Sequence, residues 1–243
     1  MPSDIRVALQ GVPRIKSIHV DPTSHHYIVL SIFHRWLREV ALPQAHGVML
    51  DFGCGAQPYR ELFSPHISRY IGADVAAAKD TKLDIEIAPG EPVPLGDASV
   101  DTILSTQTLE HVFDFQFYLR ECERLLRPGG ILIMAAPMQW RIHEAPYDYW
   151  RFTRYGLSEL AARCGLKVEI ISPCGGVYAL MGQILNSHLA EQGRGRGWIY
   201  RLVNRLALWL DRKIPDPDET INWHCIVRKP ADTVPSPDRR RVP

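Results

Sequence analysis

The sequence predicts an α/β protein with a seven-stranded, mostly parallel sheet and helices on both faces. Short apolar runs, which suit buried strands, alternate along the chain with longer segments whose apolar residues fall at helical spacing. A glycine-rich turn directly follows the first apolar run, as in sheets that bind ligands at the carboxyl ends of their strands. With 243 residues, 46% of them hydrophobic, the chain is long enough to bury a full core.

The predicted elements follow one another in the order that this fold class requires. Amphipathic patterns predict a helix at 27–40, ahead of the first strand, and helices at 115–126 and 153–164, the last with Thr153 as its N-cap. Two further helical stretches in 177–211 flank a basic, glycine-rich connection at 193–197. The predicted strands are 47–52, 70–75, 83–87, 100–105, 130–136, 166–172 and 223–228.

These elements group into three parts. Residues 1–46 form an N-terminal lead-in and a capping helix, and 47–230 form the main domain. Two regions of this domain exceed the simple alternation: a loop at 137–152, dense in aromatic, histidine and charged residues, and a helical insertion at 177–212. Residues 231–243, rich in proline and arginine, are expected to be a disordered tail.

Composition and charge narrow the function classes. A net charge of +1 gives no general attraction to nucleic acid, so no such partner is expected. The chain has no signal-peptide pattern and no apolar run of spanning length, which predicts a cytoplasmic protein. No Cys-x-x-Cys pair suggests a metal or redox centre, and no metal is expected; the five cysteines are Cys54, Cys122, Cys164, Cys174 and Cys225.

The glycine-rich turn favours a nucleotide that carries an amino acid. Gly53 and Gly55 follow the first strand and let the backbone turn tightly and approach a ligand. A pyrophosphate-binding loop would have a third glycine, but here the third position is Gln57. Asp51 beside the turn disfavours a pyrophosphate and suits a ligand with an ammonium group.

A second carboxylate follows the glycine turn at the sequence spacing that is typical of a ribose-binding residue. Asp74 ends the second predicted strand about 20 residues after the turn, where an acidic side chain can accept hydrogen bonds from both ribose hydroxyls. Taken alone, an aspartate at a strand end is as often structural. Following the glycine turn at this spacing, it predicts a nucleotide site.

Four ordered motifs resemble those of class I S-adenosylmethionine-dependent methyltransferases, in the branch often called type 11. They are 50–55 (Leu-Asp-Phe-Gly-Cys-Gly), 97–104, 109–112 (Leu-Glu-His-Val) and 124–130, and the resemblance covers about 47–172. It implies a Rossmann-like sheet whose last strand is antiparallel, S-adenosyl-L-methionine as cofactor, and methyl transfer. The departure from the family pattern is Gln57, where many members have glycine; its place at a helix entry leaves room for a side chain.

The resemblance also implies roles for individual residues. Asp51 would bind the ammonium group and Asp74 the ribose, and the two glycines would approach the methionine moiety. The adenine amino group falls to Asp84, with Glu86 as the alternative, while Gln107 lies near the transferred methyl. The implied cofactor-binding residues are Asp51, Gly53, Cys54, Gly55, Asp74, Val75, Asp84 and Gln107.

The loop at 137–152 is the predicted substrate lid. His143 is the candidate general base, because an imidazole titrates near neutrality, and Asp148 is its catalytic companion. Tyr147, Trp150 and Arg151 are the candidate acceptor-binding residues. The structural alternative is an ion pair between Asp148 and Arg151 with the aromatic rings in the core. His111 in turn is expected to shape the loop after the fourth strand rather than to catalyse.

The acceptor prediction is coarser. The lid pattern Pro-x-Asp-x-Trp-Arg-x-Thr resembles methyltransferases associated with glycan and polysaccharide biosynthesis, so the predicted acceptor is a small molecule methylated on an oxygen of a sugar or glycolipid. Residues 177–212 could touch a membrane surface, pack on the core or form a homodimer. The rival functions are an inactive cofactor-binding or scaffold protein, an NAD-dependent oxidoreductase and a nucleic-acid methyltransferase. The last is disfavoured because the chain lacks an Asn-Pro-Pro-Tyr motif.

Overall fold

The computed structural model describes residues 15–77 and 81–231; the first 14 residues of the lead-in and the predicted tail beyond 231 lie outside them. A seven-stranded sheet has the order β3-β2-β1-β4-β5-β7-β6. The strands are β1 Val48–Phe52, β2 Arg69–Asp74, β3 Ile85–Glu86, β4 Val100–Thr106, β5 Leu126–Pro137, β6 Lys167–Pro173 and β7 Asn222–Arg228. The first five pair in parallel, and β7 is antiparallel to both β5 and β6, which confirms the predicted sheet.

Six α-helices accompany the sheet within the described ranges. They are α1 Tyr27–Trp36, α2 Arg60–Phe63, α3 Phe115–Leu125, α4 Arg154–Arg163, α5 Val177–Glu191 and α6 Gly197–Lys213. The predicted N-cap is confirmed, because the Thr153 hydroxyl accepts a hydrogen bond from the Gly156 N–H at 3.1 Å. Beyond α1 the chain continues as a π-helical turn, Leu37–Ala41, so the first predicted helix is α-helical over only part of its length.

Alternating strand residues place helices on both faces. On one face Leu50, Ile103 and Leu132 are buried in the cluster that contains residues of α3 and α4. On the other face the adjacent residues Met49 and Leu104 are buried with residues of α1 and α2. Because strand side chains point alternately to opposite faces, strands buried on both sides have almost continuous apolar sequences.

The predicted helical insertion is a hairpin of α5 and α6 that packs on α1. Ile28, Ala179 and Ala207 share one buried cluster at this junction. Gly182 allows the close approach, since a Cβ there would lie 2.5 Å from the Cβ of Ala207. The opposite side of the hairpin is exposed and includes large apolar side chains.

Two strands differ from their predictions by more than one residue at an end. β5 begins at Leu126 rather than 130, because residue 126 pairs with Val100 before a shift in register at Thr102. β3 is only two residues long; within the described part of the chain it lies at the sheet edge and pairs only with β2, at Ala73 and Asp74. Among the described residues, no helix is long and apolar enough to span a bilayer.

Candidate active site

The glycine turn bridges the carboxyl ends of β1, β2 and β4. The Gly53 and Cys54 N–H groups donate to the Ala73 carbonyl at 2.8 and 3.1 Å, which continues the β1–β2 pairing into the turn. Gly53 has φ +83°, and a Cβ there would lie 2.4 Å from the Thr108 hydroxyl oxygen. Only glycine therefore allows this turn to lie against the loop that follows β4.

Asp74 and the glycine turn are in direct contact. One carboxylate oxygen of Asp74 accepts a hydrogen bond from the Gly55 N–H at 2.8 Å, and the other accepts one from Val75 N–H at 2.7 Å. Asp74 is only 5% exposed. The structure thus brings together the glycine turn and Asp74, whose spacing along the chain predicted a nucleotide site.

Asp51 is a buried carboxyl group at the end of β1. It is 1% exposed and accepts a hydrogen bond from the Tyr70 hydroxyl. Burial raises the pKa of Asp51 to about 7; the Tyr70 bond opposes this rise and the nearby charge of Asp74 adds to it. A cation at this place would stabilise the ionised carboxylate, so Asp51 fits an ammonium-bearing ligand.

At position 57, where a glycine would be expected, the side chain of Gln57 stabilises the backbone conformation. Its backbone has φ +56°, a conformation that glycine adopts more readily. The side-chain amide donates to the Lys82 carbonyl at 2.9 Å and accepts from Arg60 Nε at 2.7 Å, and it lies against Gly72. These contacts on the β2 side of the turn hold the left-handed conformation.

The remaining predicted cofactor residues differ in their surroundings. Asp84 is bound at one oxygen by the Arg60 guanidinium, at 2.6 Å, and by the Gly72 N–H, at 2.8 Å. Glu86, the alternative adenine partner, is exposed and pairs in register with Asp74. Gln107 directly follows β4 and is exposed, with φ +53°. The adenine and methyl-proximal roles stay predictions.

The predicted lid, which has no helix or strand at 138–152, is fastened to the loop after β4. The Tyr149 and Trp150 N–H groups donate to the Glu110 carbonyl at 2.9 and 3.3 Å. The Trp150 indole N–H donates to the Val112 carbonyl at 3.1 Å. Because the loop after β4 also touches Gly53, these bonds bring the lid to the same edge of the sheet as the glycine turn.

Asp148 is the centre of the lid's polar contacts. The Arg151 guanidinium donates to both carboxylate oxygens at 2.6 and 2.8 Å, which is the ion pair of the structural alternative. His143 Nδ1 lies 3.3 Å from the same carboxylate. Partial burial acts to raise the pKa of Asp148, but the bonds from Arg151 and the His143 N–H outweigh it and lower the pKa to about 2. Asp148 is therefore ionised and positions His143.

Three residues that were not predicted as site residues cluster beside His143: Glu110, His111 and Glu144. Glu110 and His111 follow β4, Glu144 follows β5, and the two strands are neighbours, which is the signal that could have found them. His111 Nε2 lies 4.0 Å from a carboxylate oxygen of each glutamate, and its ring centroid is 4.7 Å from that of His143. Burial lowers the pKa of His111 and raises the pKa of Glu110 to about 8.

A groove runs from the lid along α5. It encloses a cavity of about 510 Å³ whose lining includes Met138, Trp140, Leu180, Ile184 and His188. Apolar, aromatic and polar side chains therefore face the same space next to the lid.

The middle of the chain matches a known family. Residues 50–134 match the family described as methyltransferase domain. A protein of Mycolicibacterium smegmatis named probable S-adenosylmethionine-dependent methyltransferase is 29% identical over 134 residues, covering 50% of this chain and 52% of the relative. The ubiquinone biosynthesis O-methyltransferase of Sinorhizobium medicae is 28% identical over 98 residues, 36% of this chain and 40% of that protein. The chain thus spans about half the length, or less, of these relatives.

Solved structures share the fold over most of the chain. The crystal structure of the [4+2]-cyclase SpnF superposes with a TM-score of 0.57 at 18% identity, covering 90% of this chain and 100% of that chain. At this identity the similarity shows the Rossmann-like fold and nothing about the reaction.

Proposed function

We propose that this protein is an S-adenosylmethionine-dependent methyltransferase (EC 2.1.1) that methylates an oxygen of a small hydroxylated acceptor. The observation that carries the proposal is the 2.8 Å bond between Asp74 and the Gly55 N–H, next to the buried Asp51. It joins the two segments that we propose form a nucleotide site, and both lie within the segment that matches methyltransferase domains.

The residues around the glycine turn would hold the cofactor. Asp51 would receive the ammonium group, the backbone at Gly53 and Gly55 the methionine moiety, and Asp74 the ribose hydroxyls. When bound, S-adenosylmethionine supplies an electrophilic methyl group on a sulfonium. The residues proposed to line the rest of the site are Cys54, Val75, Asp84 and Gln107.

The lid would hold the acceptor and receive its proton. His143 is the proposed general base, and the ionised Asp148 orients its imidazole through the 3.3 Å contact at Nδ1. Arg151 holds Asp148 in place. Tyr147 and the accessible part of the half-buried Trp150 ring would contact the acceptor. Such a reaction needs alignment and exclusion of water more than any covalent chemistry by the protein.

The groove beside the lid supports a sugar or glycolipid as the acceptor class. Its apolar residues, such as Leu180 and Ile184, suit the hydrocarbon part of such a molecule, and His188 suits its hydroxyls. The relative from S. medicae is an O-methyltransferase by name, which favours oxygen as the methylated atom.

Calorimetry on the full chain tests the cofactor. We expect S-adenosylmethionine and S-adenosylhomocysteine to bind and NAD not to bind. Asp74→Asn should weaken binding at least tenfold, because the amide cannot accept from both the turn and the ribose. Asp218→Asn, an exposed aspartate on another part of the surface, is the matched control. Binding of NAD alone, or binding indifferent to Asp74, would refute the proposal.

Transfer of a labelled methyl group tests the acceptor. Sugars and glycolipids should be labelled, whereas DNA and RNA should not. His143→Gln should lower kcat while leaving the affinity for S-adenosylhomocysteine unchanged. If the protein binds the cofactor but labels none of these acceptors, the result would instead support the hypothesis of an inactive cofactor-binding or scaffold protein.

The outer side of the hairpin supports a peripheral membrane contact. Trp198, Leu202, Leu206 and Trp209 are each at least half exposed and recur at helical spacing on α6. Residues 177–213 carry six basic residues against two acidic ones. An apolar stripe with a positive rim is complementary to an anionic lipid surface, and we infer that the hairpin rests on one.

Vesicle sedimentation separates this contact from a homodimer. The protein should sediment with phosphatidylserine vesicles and less with phosphatidylcholine, and Trp198→Ala with Trp209→Ala should reduce binding. A stable dimer in analytical ultracentrifugation that the same substitutions dissociate, without any vesicle binding, would assign the stripe to self-association.

A further inference from the structure

We propose that Glu110, His111 and His143 bind one divalent transition-metal ion on the acceptor side of the site. Each of the three side chains offers one ligand atom, and these atoms lie within 4.8 Å of one another. The residues come from the loops after two neighbouring strands, β4 and β5, so the sheet itself places them together.

Glu110 gives the first independent support. Its side chain is fully buried, and among the described residues neither carboxylate oxygen has a hydrogen-bond partner in another residue. Burying a carboxyl group without partners is unfavourable, and burying a charged one is more so. The position is fixed by the backbone, since the Glu110 carbonyl accepts two N–H groups from the lid. A cation would satisfy the two oxygens.

His111 is oriented as metal-binding histidines are. Its Nδ1 is bonded to the Tyr147 carbonyl at 2.8 Å, so that nitrogen carries the proton. The lone pair is therefore on Nε2, which lies 4.0 Å from a carboxylate oxygen of Glu110 and of Glu144. A hydrogen bond from one ring nitrogen to a backbone carbonyl, with the other nitrogen towards the cation, is the usual arrangement at metal sites.

His143 repeats this arrangement with a carboxylate. Its Nδ1 faces the Asp148 carboxylate at 3.3 Å, which leaves Nε2 as the ligand atom. Asp148 is held in turn by Arg151. A carboxylate behind a histidine fixes the ring and makes its other nitrogen a better ligand.

The donor set indicates the class of cation. Two imidazoles and a carboxylate suit the divalent ions from manganese to zinc, with bonds of about 2.0–2.2 Å. Three ligand atoms spaced evenly around one ion are then at most about 3.8 Å apart, so side-chain shifts of about 1 Å would close the site. Glu144 is near enough to add a fourth ligand.

The chemical role of the ion rests on the proposed function. Its open positions would take an oxygen of the hydroxylated acceptor and lower the pKa of that hydroxyl. His143 would then act as a ligand rather than as the base: the cation would stabilise the ionised acceptor oxygen, and the proton would pass to solvent water.

Metal titrations of the full chain test the site without cofactor or acceptor. Co²⁺, followed by its visible absorption, should bind with one equivalent per chain, and Zn²⁺ should displace it. Glu110→Gln and His111→Ala should each weaken binding at least tenfold, as measured by calorimetry. His188→Ala, which removes an exposed histidine outside the cluster, should leave the affinity unchanged.

Circular dichroism on each variant separates loss of the site from loss of the fold, and Glu110→Gln keeps the side-chain shape. No binding of Co²⁺ or Zn²⁺ by the wild type, or binding that the folded Glu110→Gln and His111→Ala variants retain, would overturn the proposal. The cofactor calorimetry gives an independent answer: a chain that binds S-adenosylhomocysteine but no metal refutes this inference alone, and the reverse refutes only the cofactor.

Discussion

At the scale of single residues, the site depends on the missing side chain of Gly53 as well as on the carboxyl groups of Asp51 and Asp74. Gly53 lies against Thr108 because it has no Cβ, and this contact places the loop after β4 next to the turn. Asp51 and Asp74 both contribute buried carboxyl groups. Among the described residues, Asp74 accepts hydrogen bonds from two backbone N–H groups, whereas Asp51 accepts one from the Tyr70 hydroxyl.

Gly53→Ala should destabilise the fold and abolish cofactor binding. The positive φ costs about 1–2 kcal/mol for any residue with a Cβ, and the collision with Thr108 adds to it. Gly129→Ala is the matched control, because Gly129 has the same φ of +83° and no described residue lies within 4 Å of its Cβ position. Chemical denaturation measures both; equal losses of stability in the two variants would contradict the contact.

Binding of S-adenosylhomocysteine should release a proton from Asp51. Burial raises the pKa of this carboxyl group to about 7, and an ammonium beside it would lower the pKa again. Affinity should therefore rise with pH up to about 7 and then level off.

Calorimetry at pH 6.5 in buffers of different ionisation enthalpy measures this release. Asp51→Asn should abolish it. Proton release that persists in the variant would assign it to another group.

At the scale of elements, the lid and α4 form one continuous unit. The lid is tied to the loop after β4 by the Glu110 carbonyl, and it runs directly into the N-terminus of α4 at Thr153. The start of α4 thus fixes one end of the lid, and Arg151, which is paired with Asp148, ties that end to the first part of the lid through the Trp140 and Arg141 carbonyls.

Thr153→Ala should lower the free energy of unfolding by about 1 kcal/mol, because the Gly156 N–H loses its partner. Thr153→Ser keeps the hydroxyl and should retain most of the stability. Urea denaturation of the two variants gives the comparison. An alanine variant as stable as the serine variant would show that the cap contributes nothing.

At the scale of the whole molecule, α1 closes one face of the sheet over two buried histidines. His224 lies in β7 with 0% exposure, and His34 lies in α1 with 2% exposure. Phe33 of α1 packs against His224 with ring centroids 4.8 Å apart. Burial lowers the pKa of His224 to about 3 and that of His34 to about 4.

These histidines should make the protein sensitive to acid. In the unfolded chain a histidine takes up its proton near pH 6.5, whereas in the fold His224 stays neutral to about pH 3. Stability is therefore fully present above pH 6.5 and falls below it, by up to about 1.4 kcal/mol per pH unit for each histidine.

His224→Leu should flatten this decline in denaturation curves recorded from pH 7 to pH 4. His66→Gln, an exposed histidine, is the control. An unchanged slope in His224→Leu would rule out His224 as the cause.

The sequence by itself determined the sheet, the helices on both faces and the glycine turn with Asp51 and Asp74. These follow from local periodicity and from residues at fixed spacing along the chain, so they can be inferred without knowing which distant segments meet. It also predicted that 137–152 is a loop and that Asp148 and Arg151 could pair.

Only the tertiary structure decided which side chains meet across the loops. The cluster of Glu110, His111 and His143 joins segments more than 30 residues apart, and no local pattern encodes that contact. The same holds for Gln57, whose acceptability depends on Gly72 and Lys82 of the next strand and loop. Side-chain chemistry between loops is set by the register of β4 beside β5, and that register exists only once the sheet has formed.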